Sequence, residues 1–222
     1  MGMRRGFLFA LLLFVLVLCL ALTDDGSAAE NYIIHVDVPG KCLSLFRGET
    51  LVKQYTVATG AWDTPTPVGV YTIVSRFSGE MCGFGTCFLG LNVPFGQYGI
   101  HGTNRPETIG SNASHGCIRM RVRDAEELYA LVPNGTRVVI EDSPYGEVGD
   151  TLRPLKDGDR SSAVMAVQRK LRALGYYYGW PDGIYGKATA EAVARARKAL
   201  SLPSKDGVDW SFYQAIGLTQ FE

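Results

Sequence analysis

The sequence lacks an excess of charge of either sign. Its 222 residues include 22 Lys and Arg against 22 Asp and Glu, so the formal net charge is zero. No block of like charges and no internal repeat interrupts the chain. A protein without a net field has no long-range attraction for nucleic acid or anionic lipid. We therefore do not expect nucleic acid among its partners.

Metal-binding patterns are also missing. The chain has five cysteines and three histidines, but it contains neither a C-x-x-C pair nor an H-x-x-x-H pair, the spacings typical of zinc sites. No metal and no cofactor is expected. Cys82 and Cys87 lie in a Gly-rich stretch. They could form a disulfide in an oxidising compartment, or they could be two small buried side chains.

Long hydrophobic runs are absent except at the N-terminus. Arg4 and Arg5 precede a continuous apolar run over residues 7–22, and Ser27-Ala28-Ala29 offers small residues for a signal peptidase. Residues 1–29 are therefore predicted to be a cleaved signal peptide. The alternative is a retained membrane anchor, since sixteen apolar residues are nearly long enough to span a bilayer. Either way the body of the protein is exported to the extracellular side.

Residues 30–141 have the pattern of a mostly β domain, a sandwich or barrel with one short helix. Apolar and β-branched segments separated by Gly and Pro turns predict strands, and residues 123–132 predict the helix, capped by Asp124. The stretch 79–99 is rich in Gly, Phe and Tyr and has no helical period. It could be a flap or groove wall, or a surface loop without function. The strands are predicted at residues 32–38, 43–46, 51–59, 68–76, 100–103 and 136–140.

The composition changes after residue 141. Residues 142–158 hold Pro, Gly and charges with few large apolar groups, which indicates a linker. Residues 159–222 then show apolar side chains at helical spacing. They predict a small all-α domain of three helices, at 161–174, 188–200 and 209–216.

The hexapeptide Ser114-His115-Gly116-Cys117-Ile118-Arg119 carries most of the chemistry. A thiol becomes a nucleophile once an imidazole removes its proton. His115 is nearest in sequence, and His101 lies sixteen residues before the thiol, so either could serve. Amides near Gly116 could form an oxyanion hole, and Arg119 suits a carboxylate. The alternative without catalytic function is a buried cysteine beside a structural histidine.

Residues 32–140 resemble the catalytic domain of the YkuD-type L,D-transpeptidases. The resemblance implies that Cys117 is the nucleophile and that His101, oriented by the Gly102 carbonyl, is the general base and acid. It also implies that His115 and Gly116 shape an oxyanion hole with the Cys117 amide, and that Ser114 and Arg119 support the site and the substrate. One departure is Cys42, where the family often has Gln. The segments that carry the resemblance are Val57-Ala58-Thr59-Gly60, Thr66-Pro67-Val68-Gly69-Val70-Tyr71, Ile100-His101-Gly102-Thr103, Ser114-His115-Gly116-Cys117-Ile118-Arg119-Met120 and Gly135-Thr136-Arg137-Val138.

The C-terminal region resembles the three-helix peptidoglycan-binding domain. That family often ends its second helix with Phe-Gln, where this chain has Ala196-Arg197 or their neighbours. The aromatic run from Tyr176 to Trp180 could stack on a sugar or could pack in the core. The segments that match are Val167-Gln168-Arg169-Lys170-Leu171, Leu174-Gly175-Tyr176-Tyr177, Pro181-Asp182-Gly183-Ile184-Tyr185-Gly186 and Thr189-Ala190-Glu191-Ala192-Val193.

Together the two resemblances imply an exported cell-wall L,D-transpeptidase. Such an enzyme cross-links peptidoglycan stem peptides through a Cys117 thioester acyl-enzyme, and its partners are donor and acceptor stems. Two alternatives stay open at the level of sequence. One is an L,D-carboxypeptidase that trims the same stems with the same residues, and the other is a non-catalytic peptidoglycan-binding protein. A membrane is a partner only if the N-terminal segment is retained.

Overall fold

The structure is a computed structural model that describes residues 31–81, 83–142 and 152–218. The predicted signal segment and Cys82 lie outside these residues, as does most of the predicted linker. Across the described ranges, none of the helices is both long and apolar enough to cross a membrane.

One curled sheet forms the first domain. Eight strands pair in the order β3-β2-β1-β10-β5-β6-β7-β9, while β4 and β8 form a separate short pair. The pairs β1–β10 and β7–β9 are parallel. The strands are β1 (Tyr32–Asp37), β2 (Cys42–Arg47), β3 (Thr50–Thr56), β4 (Thr59–Gly60), β5 (Gly69–Met81), β6 (Gly85–Leu91), β7 (Tyr98–Thr103), β8 (Asn112–Ser114), β9 (Ile118–Arg121) and β10 (Arg137–Glu141).

The two edges of this sheet meet at one point. Ala58, just after β3, pairs with Arg119 of β9 through two backbone hydrogen bonds of 2.8 Å. The sheet therefore curls around its own core, as alternate residues of β1 show: Tyr32, Ile34 and Val36 are buried. The predicted fold class, mostly β with one short helix in this domain, is confirmed, and its form is one curled sheet.

The helix α1 (Val122–Leu131) buries Ala125 and Leu128 and packs on β6 and β7. The predicted cap is wrong: Arg121 occupies the N-cap position without a side-chain cap bond. Asp124 lies inside the first turn instead, 4.0 Å from the Arg121 guanidinium. At this position the positive end of the helix dipole stabilises a carboxylate. A short 3₁₀ helix (Pro106–Thr108) precedes β8.

The Gly-rich stretch 79–99 is not an unstructured loop. It contains β6, which forms a hairpin with β5 and pairs on its other side with β7. The sequence period was obscured because Gly85, Gly90 and the aromatic Phe88 share this strand. The hairpin tip carries Phe84, whose side chain lies beside the site described below.

The second domain consists of α2 (Ser162–Ala173), α3 (Lys187–Ala199) and α4 (Trp210–Ala215), as the helical spacing predicted. Leu152 and Leu155 belong to its buried core, and Leu155 pairs with Val208. Two residues of the predicted linker 142–158 thus contribute to this core. The two leucines are separated by charged and proline residues, which hid their apolar role in the sequence.

Gln168 holds the loop between α2 and α3. This fully buried amide donates to Asp182 Oδ1, Ile184 O and Thr189 Oγ1 at 2.8–3.0 Å. Its own oxygen accepts from the Gly183 amide at 2.8 Å. A buried amide with every bond satisfied fixes the geometry of the loop around it.

The second domain packs against the first through this loop and through α2. Met165 of α2 is 5% exposed and belongs to the core cluster of the first domain, and Ile184 packs against the same cluster. Ser162 Oγ accepts from the Val68 amide at 2.8 Å. Gly183 faces Phe95 so closely that a Cβ there would lie 2.3 Å from the ring. The contact is thus built from buried apolar atoms and a backbone hydrogen bond.

We predict that Gln168→Leu destabilises the protein, because the buried Gly183 amide loses its acceptor. The cost expected for an unsatisfied buried donor is about 1–3 kcal/mol. Urea unfolding of the full chain measures it. Gln214→Leu is the matched control, because Gln214 is exposed on α4. Equal stability of the two variants would contradict the role given to Gln168.

Candidate active site

The site is assembled where β7 and β9 run parallel. Their register places His101 opposite Arg119. Cys117 directly precedes β9, and the Arg119 charge acts on both the Cys117 thiol and the His101 ring. Cys117 lies close enough to Gly99 for the Gly99 backbone to oppose the rise in the thiol pKa that burial causes. Two segments that are sixteen residues apart in sequence thus contribute to one surface.

The orientation of His101 is set by its own strand. Nδ1 lies 2.5 Å from the carbonyl oxygen of Gly102, and a carbonyl can only accept, so Nδ1 carries the hydrogen. In the neutral ring Nε2 then holds the lone pair. The ring is buried to 2% exposure, with Phe84 at 4.7 Å and Phe88 at 5.8 Å between centroids.

Burial sets the protonation of both groups. It lowers the pKa of His101, and the nearby Arg119 charge lowers it too, against the raising effect of the Gly102 hydrogen bond. Burial raises the pKa of the Cys117 thiol, which the Gly99 backbone and Arg119 oppose. Near neutral pH the pair therefore rests as a neutral thiol beside a neutral imidazole, and the imidazole is ready to accept a proton.

Ser114 clamps the turn that presents the thiol. Its hydroxyl donates to the Cys117 carbonyl at 2.5 Å and accepts from the Gly116 amide at 3.0 Å. Its own carbonyl accepts from Ala61 N at 2.8 Å and from Thr64 Oγ1 at 3.1 Å. The Gly116 amide is therefore occupied. Among the described residues, the Cys117 amide has no hydrogen-bond acceptor.

Gly116 occupies a position that a side chain would not fit. Its φ is +105°, and a Cβ would lie 2.5 Å from the Tyr98 ring and 3.2 Å from the Pro65 carbonyl oxygen. Tyr98 is also close enough to Cys117 for the thiolate to raise its pKa, although burial is the larger cause. Tyr98 and Pro65 were not among the residues identified in the sequence. The aromatic character of 79–99 was the available signal for Tyr98.

Arg119 is held by the backbone at the edge of the site. Its Nη1 donates to the Ala113 carbonyl at 3.2 Å, and its backbone pairs with Ala58. Its Nε is buried and has no partner in the described part of the chain. The positive charge of the guanidinium therefore acts on Cys117 and His101, and its Nε–H is available to donate a hydrogen bond.

The family "L,D-transpeptidase catalytic domain" (YkuD) matches residues 31–140, and "Putative peptidoglycan binding domain" matches residues 160–208.

The chain carries a YkuD L,D-transpeptidase catalytic domain.

Relatives support this assignment over the same region. "Putative L,D-transpeptidase YkuD" of Bacillus licheniformis is 47% identical over 109 residues, 49% of this chain and 65% of that protein. "Putative L,D-transpeptidase YqjB" of Bacillus subtilis is 34% identical over 40% of this chain and 58% of its own length. The chain thus spans less than two thirds of these relatives. The solved L,D-transpeptidase 3 of Mycobacterium tuberculosis aligns at a TM-score of 0.45 and 18% identity, over 50% of this chain and 61% of its own.

The segments that carry the L,D-transpeptidase resemblance meet at β8, just before the Cys117 turn. Thr59 and Gly60 pair with Asn112 and Ser114 of β8. The Thr66 hydroxyl accepts from the Gly60 amide at 2.8 Å. These distant pieces of sequence thus support the turn that ends at Cys117, which explains why they occur together.

His115 is the predicted site residue with the least contact to the site. It is exposed, whereas its neighbours Ser114 and Gly116 are buried, and within the described parts of the chain its ring has no hydrogen bond. It belongs to the Cys117 turn through its backbone. Cys87 has a free thiol and is buried, with burial raising its pKa. The described residues include no group of three or more side chains suited to a metal ion.

The departure of the second domain from its family has a structural explanation. Arg197, at or near the place of the family's Phe-Gln, is 2% exposed. Its Nη2 contacts Asp209 Oδ1 at 3.0 Å and donates to the Gly207 carbonyl at 3.1 Å. Arg197 therefore acts inside the domain, tying α3 to the start of α4. Of the aromatic run, Tyr177 is buried while Tyr178 and Trp180 are exposed.

We predict that Gly116→Ala lowers both stability and the reactivity of Cys117. The backbone cost of a positive φ is about 1–2 kcal/mol, and the clash with Tyr98 displaces the Cys117 turn in addition. Gly110→Ala is the matched control, because its φ is +92° but a Cβ there would meet its nearest atom only at 3.9 Å. Unfolding free energy and the alkylation rate of Cys117, followed by peptide mass spectrometry, measure the two effects. If Gly110→Ala slowed alkylation equally, the Tyr98 contact would be irrelevant.

Proposed function

We propose that this protein is an exported cell-wall L,D-transpeptidase that uses Cys117 as its nucleophile. One observation carries the proposal. Arg119, which pairs with His101 across the strands, acts by its charge on both the Cys117 thiol and the His101 ring, and the Nδ1 bond to Gly102 leaves the imidazole Nε2 as the proton acceptor. The family match of residues 31–140 supplies the reaction class, and the relatives named above are L,D-transpeptidases.

The reaction begins with a proton transfer. The thiol and the imidazole are both neutral at rest, so Cys117 becomes a thiolate as Nε2 of His101 takes its proton. Arg119 favours the thiolate by its positive charge. The Gly102 carbonyl stabilises the imidazolium that forms, in the way a third group orients the base of a catalytic triad. Burial by Phe84 and Phe88 keeps this exchange away from bulk water.

Acylation follows at a carbonyl of the donor stem. The thiolate attacks the carbonyl between an L-centre and the terminal D-Ala, and the tetrahedral oxyanion needs hydrogen-bond donors. The Cys117 amide serves as a donor, because the Gly116 amide already bonds to Ser114. Gly116 contributes by conformation rather than by its N–H. The imidazolium returns its proton to the D-Ala amine as the C–N bond breaks, leaving a Cys117 thioester.

Deacylation reverses these roles. An amine from a neighbouring stem loses a proton to His101 and attacks the thioester carbonyl. The C–S bond breaks, an amide cross-link forms, and the thiol regains its proton. No redox step or cofactor enters this sequence. If water takes the place of the amine, the same residues trim the stem, which is the carboxypeptidase reaction.

The remaining parts of the chain place this chemistry at the wall. The N-terminal segment, as a signal peptide or an anchor, exports the protein. The second domain belongs to a peptidoglycan-binding family over residues 160–208. Together they bring the catalytic cleft to the polymer that carries its stem peptides.

We expect Cys117→Ala to fold normally and to form no acyl-enzyme. His101→Ala should reduce turnover by about 100-fold or more, the range expected for loss of a general base. His115→Ala changes an exposed side chain of the same turn and should reduce turnover far less. The assay incubates the protein with purified stem tetrapeptide and acceptor, and mass spectrometry follows both protein and products.

The products separate the remaining reactions. Dimeric stems identify transpeptidation, whereas trimmed tripeptide alone identifies carboxypeptidase activity. Absence of any acyl-enzyme, with a carbapenem also failing to acylate Cys117, would leave a non-catalytic wall-binding protein. Equal losses in His101→Ala and His115→Ala would contradict the assignment of the base.

We also predict an acid limb of kcat/KM below the ordinary histidine pKa of about 6.5. His101 must be neutral to accept the thiol proton, and burial followed by the Arg119 charge lowers its pKa. Activity is therefore lost as pH falls through that lowered pKa. In Arg119→Gln the limb should move to higher pH, since a nearby positive charge has been removed. Arg119→Lys keeps the charge and should keep the limb in place. A limb that stays unmoved in Arg119→Gln would argue against the electrostatic role.

A further inference from the structure

A cleft lies between the two domains, away from the residues of the Cys117 turn. It encloses about 780 Å³, within the range of pockets that bind small ligands. The described residues lining it come from both domains. From the first domain these are Val70, Tyr71, Asn92 and Pro94, and from the second Met165, Arg169, Arg172, Ala173, Trp180 and Pro181.

The second domain supplies an aromatic platform with a cation beside it. Trp180 is 76% exposed although it is the largest side chain of its loop. The guanidinium of Arg172 lies 5.6 Å from the centroid of its ring. The loop is anchored, because the Trp180 carbonyl accepts from the hydroxyl of the buried Tyr177 at 3.1 Å. An anchored, exposed indole binds a flat apolar face at little cost in ordering.

The first domain supplies the opposite wall. Val70 of β5 is 64% exposed and offers an apolar surface. Asn92 Oδ1 accepts from the Thr72 amide at 2.7 Å, which turns the amide group so that its NH₂ is the remaining donor. The wall is thus apolar with a fixed polar group, as is usual for a site that orients a ligand.

The cleft is preformed because its floor is an interdomain contact. Met165 lines the cleft and is buried in the first domain's core cluster. The Ser162–Val68 bond of 2.8 Å lies at the start of the same helix. A ligand would therefore bridge two domains that are already in contact, without first having to bring them together.

These features select a ligand with two kinds of group. A pyranose ring presents an apolar C–H face that packs on an indole, and N-acetyl groups can accept from an amide NH₂. A guanidinium beside the ring pairs with a carboxylate. Peptidoglycan glycan strands combine both groups, because every second sugar carries a lactyl substituent whose carboxylate is free when the stem is removed and continues into an acidic stem when it is present.

We propose that this interdomain cleft binds the glycan strand of peptidoglycan, with a sugar ring on Trp180 and an acidic substituent at Arg172. The site is composite, since the first domain provides the Val70 and Asn92 wall. It rests on the proposed function in so far as the wall is the substrate. It extends that function by holding the sugar backbone of the polymer whose stems react at Cys117.

Binding of defined glycans to the full mature chain tests the site. The probes are peptide-free glycan strands prepared by amidase digestion, which keep their lactyl carboxylates, and chitotetraose, which is neutral. Calorimetry should show Trp180→Ala weakening binding of the glycan strands by about tenfold, the scale of a central Trp in an interface. Arg172→Gln should weaken binding of the acidic strands and leave chitotetraose nearly unchanged.

Tyr178→Ala is the matched control. Tyr178 is 82% exposed in the same aromatic run but does not line the cleft. It should bind glycan strands as the wild type does. Trp180→Phe keeps an aromatic ring and should recover most of the affinity, which separates loss of stacking from loss of folding.

Each outcome decides the proposal. Wild-type affinity in Trp180→Ala, an equal loss in Tyr178→Ala, or no recovery in Trp180→Phe would overturn the cleft. These results are independent of catalysis. If the protein forms an acyl-enzyme but its glycan affinity does not depend on Trp180, only the cleft proposal is contradicted. If glycan binding depends on Trp180 but no acyl-enzyme forms, only the proposed activity is contradicted.

Discussion

The parallel pairing of β7 with β9 is the constraint on which the site depends. Parallel neighbours need a long connection, and here that connection, residues 104–117, ends in the turn that carries the thiol. The pairing puts His101 opposite Arg119 and Cys117 beside Gly99. The edges of the sheet are then linked through Ala58 and Arg119. A slip of one residue in this register would turn Arg119 to the opposite face.

Burial has opposite effects on the two reactive groups. It raises the pKa of Cys117 and lowers that of His101, because each loses hydration in its charged form. A resting ion pair is thereby disfavoured. In the mechanism proposed above, charge develops only when the thiol attacks, and Arg119 and the Gly102 carbonyl would then stabilise the thiolate and the imidazolium respectively, in the reacting state where such groups accelerate a reaction.

The second domain is more than a tether in this structure. Its Gln168-ordered loop packs on Phe95, whose ring lies 5.8 Å from that of Tyr98. Tyr98 in turn contacts Gly116 in the Cys117 turn. A continuous set of packed residues thus joins the second domain to the Cys117 turn. Met165, which lines the interdomain cleft, belongs to the same interface, so the proposed glycan site borders the contact that reaches this turn.

Much of this protein follows from its sequence alone. Alternating apolar residues determined β1, and helical spacing determined α2, α3 and α4, because local periodicity reports which face is buried. The hexapeptide around Cys117 identified the nucleophile candidate, and the combined segments identified the family. Where local signals were weak, the prediction was incomplete or wrong: Gly and Phe obscured β6, and Asp124 was a helix residue rather than a cap.

Only the tertiary structure decided which groups meet. Sequence distance favours His115 as the partner of the thiol. Strand pairing instead places His101 opposite Arg119, two residues after Cys117, and His115 is exposed. Whether Gly116 offers an amide or only a conformation depends on Ser114 and Tyr98, which approach it from other segments. The exposure of Trp180 over an interdomain cleft is likewise a property of packing. Neighbouring residues determine which chemical groups a segment offers. The orientation and protonation of those groups, and the cavities around them, arise from contacts between segments far apart in the chain.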